Sequence, residues 1–324
     1  MKIPPDFTRT PSHTSLITQI ESLRLSFEKY QVHVPLSASL RRNSFLKSSL
    51  YSARIEGNTL SEISIQEENT DEETLEIINI MKSLEYIDST YISKIDHSGI
   101  QLLHSMIGEG LFPDKGVYRK EVSGIFNKNG AVVYMPPPPT QIMNLLTSLI
   151  TYIENENGSP LITAFITHLV FEKIHPFLDG NGRVGRALIA AVLKCKKYTI
   201  PFPVTIEEYL EAHREEYYDV LLNGMKDTER YVEFMLAAYL KQMEKTGEKL
   251  EELARKSPLM LELTARQEEI YIIIKEHRSV SLNFIVRRFL KVSERTLRND
   301  LAKLSDKKLV IKVGNTKGTE YRAR

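Results

Sequence analysis

Between residues 175 and 186 the chain reads His-Pro-Phe-Leu-Asp-Gly-Asn-Gly-Arg-Val-Gly-Arg. A base (His175), a carboxylate (Asp179), a glycine loop (Gly180, Asn181, Gly182) and two guanidinium groups (Arg183, Arg186) thus share one short segment. Such groups can hold the phosphates of a nucleotide and a metal ion beside a proton acceptor. Pro176 keeps the segment before it from running on as a regular helix, and the apolar run from Ala187 to Leu193 is a strong helix former. The glycine loop therefore enters a helix, where free backbone N–H groups and the positive end of the dipole favour anions. Arg183 and Arg186, three positions apart on the first turn, share a face and can grip one polyphosphate. Each residue alone has an ordinary reading as a surface histidine, a turn former or a solvated arginine. The spacing carries the chemistry. Phe177 reads as a core anchor that fixes the loop.

The flanking patterns supply the elements that must position this segment. Helical periodicity runs from Ile162 to Ile174 into His175, from Ile142 to Ile153, and through Ile100, Leu103 and Met106. Two apolar, β-prone runs, Glu121 to Phe126 and Ala131 to Met135, flank Asn127-Lys128-Asn129-Gly130, and Asn129-Gly130 is a strong hairpin signal. Pro136 to Pro139 stop the second strand. Residues 1–95 form an N-terminal helical region after an extended start, with a helix near Leu40 to Ile55; 96–240 form the central domain. The helix from Thr228 to Lys249 is expected to become a charged linker, 241–257, at Glu244 to Lys249. In the tail, 258–324, helices are expected at 266–274, 282–289 and, capped by Ser293, at 294–304, followed by a strand, a turn and a strand. The fold class is mainly α, with one β-hairpin flap and a C-terminal α+β domain.

The segment at 175–186 resembles the signature of the Fic (Fido) family, HPFx(D/E)GNGRxxR, at every specified position. The resemblance implies a helical Fic domain with a flap, and transfer of AMP from ATP, with Mg²⁺, to a Ser, Thr or Tyr hydroxyl of a target protein or of the chain itself. It makes His175 the general base, Asp179 the Mg²⁺ ligand, Gly180, Asn181 and Gly182 the anion hole, and Arg183 and Arg186 the holders of the β- and γ-phosphates. A family branch with Lys in this loop transfers phosphate instead; Gly182 favours AMP transfer. Ser52-Ala53-Arg54-Ile55-Glu56-Gly57-Asn58 resembles the family's inhibitory pattern, (S/T)xxxE(G/N). It implies that Glu56 pairs with Arg186 and competes with the γ-phosphate, and in some relatives such a glutamate serves removal of AMP. The hairpin, 118–139, corresponds to the flap on which a target protein docks as an added strand. By position Tyr217 resembles a nucleoside-facing tyrosine, with Asn223 as a nearby polar contact. The tail resembles a winged helix-turn-helix.

Composition bounds the remainder. The 324 residues carry a formal net charge of +1 and 42% hydrophobic residues, ample for two or three domains. The single cysteine, Cys195, expected on a buried helix, leaves no internal disulfide framework, and the eight histidines show no metal spacing. His168 reads as structural. No apolar run approaches a membrane span and the start is not a signal peptide, so the cytoplasm is expected. The tail is basic, with 15 Lys and Arg against 8 Asp and Glu over 261–324. That asymmetry suits DNA phosphates. Arg295, Thr296, Arg298 and Asn299 would then read the major groove, with Lys317 on a phosphate. A protein-interaction or dimer module is the equal alternative, which leaves a second copy of the chain open as a partner. The competing function is a DNA-binding regulator whose nucleotide site acts as a sensor.

Overall fold

A computed structural model describes residues 1–29, 34–61, 71–126, 130–200, 202–254, 263–290, 292–314 and 319–324. Helices α1 (Pro11–Lys29), α2 (Val34–Glu56), α3 (Glu72–Ser89) and α4 (His97–Ile107) precede a hairpin of β1 (Ile125–Phe126) and β2 (Val132–Tyr134). Then come α5 (Ile142–Asn155), α6 (Pro160–Ile174), α7 (Asn181–Cys195), α8 (Ile206–Ala212), α9 (Arg214–Asn223) and α10 (Thr228–Ala254). The fold is mainly helical, as expected.

Helix α6 is the axis. Every residue from Leu161 to Ile174 is buried, the mark of a helix enclosed on all sides. Pro160 occupies its first turn, where a missing N–H costs nothing. Its polar side chains must find partners inside: His168 Nδ1 meets the Tyr231 hydroxyl at 2.7 Å and Nε2 the Tyr217 hydroxyl at 3.1 Å. Helix α7 packs along α6, so the loop between them is held by the two best-buried helices of the domain. Helices α3 and α4 start at Asp71 and Asp96, whose carboxylates cap the Thr74 and Gly99 N–H groups.

Local expectations and structure differ in two places. The charged stretch Glu244 to Lys249 remains helical inside α10, because Lys and Glu are good helix formers and Gly247 lies against the Phe27 ring. Cys195 ends α7, a mostly buried helix as expected, and is itself half-buried. The hairpin strands are shorter than their apolar runs and shift register between Ile125 and Phe126; Asn127 to Asn129 of the predicted turn lie outside the described residues.

The tail builds a second core around Ile270, Ile274, Phe284, Phe289, Leu297 and Leu301. Its helices are α11 (Ala265–His277), α12 (Leu282–Arg288) and α13 (Glu294–Asp306). Thr264 and Gln267 close a capping box on α11, and Ser293 caps α13 as expected. Strands β4 (Val310–Val313) and β5 (Glu320–Ala323) are joined by a short β3 (Val280–Ser281) in the antiparallel order β3-β5-β4. The tail packs on the helical domain at α2 and α3. Arg42 of α2 pairs at 2.7 Å with Glu269, a fully buried carboxylate, and its guanidinium stacks 4.3 Å from the Phe289 ring centre. Asn43 donates to Glu276 at 3.2 Å. Leu46, Ile77 and Met81 face Phe284, Arg287 and Arg288 across a narrow crevice.

Candidate active site

The turn from α6 to α7 is shaped by four of its own residues and by His104. His175 ends α6 in the left-handed region (φ 50°, ψ 61°) while its N–H still bonds the Phe171 carbonyl at 2.9 Å. A non-glycine residue persists in that region only where its surroundings determine it. Phe177 is fully buried and stacks on His104 with ring centres 3.7 Å apart, which makes it the anchor the sequence suggests. Asn181 folds its amide back onto Phe177, accepting from its N–H and donating to its carbonyl, each at 2.9 Å. Gly180 has φ 76°, and a Cβ there would stand 2.7 Å from the Phe112 ring. Glycine is required at this turn. His104 completes the frame: Nδ1 accepts from the Gly116 N–H at 2.7 Å, so Nε2 carries the proton and donates to the Asp179 carbonyl at 3.0 Å.

His175 is set up as a neutral base. Burial pushes its imidazole down to about 4, and the Glu172 carbonyl offsets part of that without closing a full hydrogen bond to Nδ1. The ring is therefore unprotonated at neutral pH. Beneath it lies the buried Arg119, which donates to the carbonyls of His175 (2.7 Å), Pro137 (2.6 Å) and Glu121 (3.0 Å). One guanidinium thus ties both ends of the hairpin segment to the backbone of the base. Tyr134 adds a bond to the Lys173 carbonyl at 3.0 Å. Val122, Val132, Val133 and Met135 are left exposed on the hairpin, an apolar edge suited to an extended peptide.

The two arginines are both occupied. Arg186, 2% exposed, donates to the Ser52 hydroxyl and carbonyl at 2.9 Å each and to Glu56 at 2.8 Å. The α2 motif and the loop motif, 130 residues apart, meet at this guanidinium. Burial alone would raise the Glu56 carboxyl; Arg186 and Arg183 outweigh it and hold the group below its ordinary value. Gly182 makes the seat for that carboxylate, since a Cβ there would lie 2.2 Å from Glu56 Oε1. Arg183 is boxed in by Glu76 of α3, by Asp179 at 2.7 Å and by the Phe112 ring at 5.0 Å.

The structure brings His175, Asp179, Gly180, Asn181, Gly182, Arg183, Arg186, Ser52 and Glu56 to one place. Tyr217 is fully buried, its hydroxyl on His168, and lies in the core behind Arg186. Its neighbour Tyr218 is the exposed one, with its hydroxyl on the Ile55 carbonyl at 3.1 Å, beside the end of α2. Asn223 turns its amide back onto Asp219 of its own helix. Residues that sequence reasoning missed are His104, Phe112, Arg119 and Glu76, single side chains outside any local pattern.

Among the described residues no three His, Cys, Asp or Glu side chains gather as a metal site. Asp179 suits a weaker arrangement. Its carboxylate is 65% exposed and accepts from the Gly180 N–H at 2.5 Å, so it faces the loop as a hard oxygen donor. Mg²⁺ is commonly held by one or two such carboxylates together with substrate phosphates and water. The residues present fit that mode.

Residues 94–193 match the Fic/DOC family, and residues 266–316 match the DeoR-like helix-turn-helix domain. A probable protein adenylyltransferase of Aquifex aeolicus is 38% identical over 92 residues, 28% of this chain and 27% of that protein. The protein adenylyltransferase Fic of Culex quinquefasciatus is 28% identical over 207 residues, 57% of this chain and 39% of that one. The chain therefore spans about a quarter to two fifths of the length of these relatives. A Fic family protein from Desulfovibrio desulfuricans shares the fold over 99% of this chain and 98% of its own, with TM-score 0.67 and 23% identity. Among the described residues no helix is long and apolar enough to cross a membrane.

Proposed function

We propose that this chain, a Fic/DOC-domain protein with a DeoR-like helix-turn-helix tail, is a protein adenylyltransferase that holds itself inactive. In the reaction a Ser, Thr or Tyr oxygen of a target forms a bond to the α-phosphorus of ATP. The bond from that phosphorus to the bridging oxygen breaks, and pyrophosphate leaves with the electron pair. His175, half-buried and kept neutral at pH 7 by desolvation, takes the hydroxyl proton. The backbone N–H groups of Asn181 and Gly182 at the start of α7 would face the phosphates, with that of Gly180, which now donates to Asp179, joining them when the carboxylate turns away, and Arg183 and Arg186 supply positive charge once released. Asp179 would hold Mg²⁺, which neutralises the phosphates when bound. The exposed edge of the hairpin aligns the target segment, and Arg119 fixes that edge relative to His175. Positioning and charge neutralisation are most of what phosphoryl-group transfer demands.

The observation that carries the reading is Glu56 seated on Arg186, with Ser52 closing the other side of the same guanidinium. A carboxylate there stands in for a phosphate, so ATP and Glu56 compete for one cation. The test is incorporation of label from α-³²P ATP with Mg²⁺ and cell lysate by wild type, Glu56→Gly and Glu56→Gly/His175→Ala. Labelling confined to the single variant supports transfer, brake and base together. No labelling by any of them sinks the reading.

A second role rests on the tail. Helix α13 leaves Arg295, Arg298 and Asn299 exposed, and it lies within the stretch that matches the DeoR-like domain. Thr296 is half-buried with its hydroxyl on Ser293, and Arg298 pairs with Glu294; Lys317 lies outside the described residues. DNA binding through this face predicts duplex affinity that falls steeply with salt and drops in Arg295→Ala/Asn299→Ala. Affinity that is equal in that variant assigns the tail to protein contacts.

A further inference from the structure

Resting on the reading above, we propose that Glu76 is a second inhibitory carboxylate, acting on Arg183 as Glu56 acts on Arg186. The geometry is a short chain of contacts. Asn58, the residue that follows the inhibitory pattern, donates to Glu76 Oε2 at 2.8 Å. Glu76 Oε1 takes Arg183 Nη1. Arg183 Nη2 holds Asp179 Oδ1 at 2.7 Å. The pair is nearly enclosed, with 9% of the Arg183 side chain and 12% of the Glu76 side chain exposed.

Three features make this a brake rather than a scaffold. First, the charge of Arg183 is already engaged by the chain: each Nη donates to a carboxylate, and Nε, which has no partner, is buried out of reach of a phosphate. A polyphosphate gains this cation only when a carboxylate leaves it. Second, the same lock ties Asp179, the carboxylate available to a divalent ion, to the guanidinium beside it. One contact thereby withholds a phosphate ligand and a metal ligand. Third, both arginines lie inside the stretch that matches the Fic/DOC family, while Glu56 and Glu76 both come from helices outside it. Two consecutive helices each place one acidic side chain on one of the two cations. With three carboxylates against two guanidinium groups, the closed site repels a tetra-anionic nucleotide.

Asn58 couples the two brakes. It follows Glu56 by two residues, its N–H bonds the Ala53 carbonyl at 3.2 Å, and its amide reaches Glu76 and the Glu73 carbonyl. Withdrawal of the end of α2 removes a hydrogen bond that orients Glu76. The two carboxylates therefore leave most easily together.

The experiment measures binding of a fluorescent ATP analogue with Mg²⁺ to wild type, Glu56→Gly, Glu56→Gly/Glu76→Gln and Glu56→Gly/Asn58→Ala, alongside label transfer by each. Gln keeps the shape and one hydrogen-bond acceptor while removing the charge, so folding is preserved. Thermal unfolding checks this. The brake predicts that Glu76→Gln tightens nucleotide binding about tenfold beyond Glu56→Gly alone, the worth of one charge-assisted contact. The Mg²⁺ concentration at half-saturation falls as well, and Asn58→Ala, which touches neither arginine, gives a smaller shift in the same direction. Equal or weaker binding in the Glu76 variant overturns the proposal and makes Glu76 a positioning residue for Arg183. Tighter binding without label transfer in any variant keeps the brake and sinks the transferase reading. Transfer by Glu56→Gly with no change on adding Glu76→Gln does the reverse, and absence of nucleotide binding throughout defeats both.

Discussion

Glu56→Ala should destabilise the free protein and make it more responsive to ATP. Arg186 is 2% exposed and loses in that variant the one carboxylate that pairs with it among the described residues. Leaving one ion of a buried pair uncompensated costs about 3–5 kcal/mol. Here the Ser52 hydroxyl and carbonyl still bond the guanidinium, and Glu56 is 30% exposed, so about 2–3 kcal/mol is the fitting figure. For a domain of this size each kcal/mol moves the midpoint by about 2–4 °C. Scanning calorimetry or dye-monitored unfolding should then show the variant melting roughly 4–12 °C below wild type without nucleotide. Mg²⁺-ATP at a hundredfold excess over Kd returns about 2.7 kcal/mol to whatever binds it. The variant should recover most of its loss, while wild type, whose carboxylate already fills the seat, moves little. Equal melting of the two free proteins, or the same nucleotide shift in both, would refute the idea that Glu56 and phosphate compete for Arg186.

Three other outcomes follow from the buried polar groups. His168 and His175 are pushed down to about 3 and about 4 by burial. Their neutral forms therefore support the fold above about pH 6.5, and that contribution is lost as pH falls through the lowered values; urea midpoints of wild type should drop over this range more steeply than those of His168→Phe. Glu172 is pushed up to about 8 by burial, so its contribution is present below about 4.5 and lost as pH rises to 8. Glu172→Gln should gain on wild type across that window and no further above it, which denaturation at pH 5, 7 and 9 will show. Arg119→Met leaves the carbonyls of His175, Glu121 and Pro137 without their shared donor. In the Glu56→Gly background it should cut target labelling about tenfold or more while ATP affinity holds, as nucleotide titration beside the labelling assay can check.

The sequence made the centre of the site legible because the base, loop and arginines are neighbours in the chain. Glu56 was also accessible, since Ser52 and Glu56 lie one helical turn apart and leave a short pattern. Glu76 was not. It is one acidic residue among several on α3, and it reaches Arg183 across 107 positions. His104 and Arg119 were hidden for the same reason: their partners are backbone carbonyls and N–H groups, which no sequence pattern identifies. At Tyr217 and Tyr218 helix periodicity could not decide which of two adjacent rings turns inward; packing against His168 decides it. The tail helices and their caps followed from Ser293 and the apolar spacing, whereas β3, only two residues long, exists because β5 offers it a partner.

Arg42 and Glu56 stand on one unbroken helix, 14 residues apart, a rod of about 21 Å at 1.5 Å per residue. One end is gripped by Glu269 and Phe289 of the tail, the other by Arg186. If the helix moves as one body, its two ends form a single thermodynamic unit. Whatever binds the seated and unseated forms of the tail with different strength must change nucleotide affinity by that same factor, and nucleotide must repay it at the tail. Occupancy at either end would then be a message that the other can read.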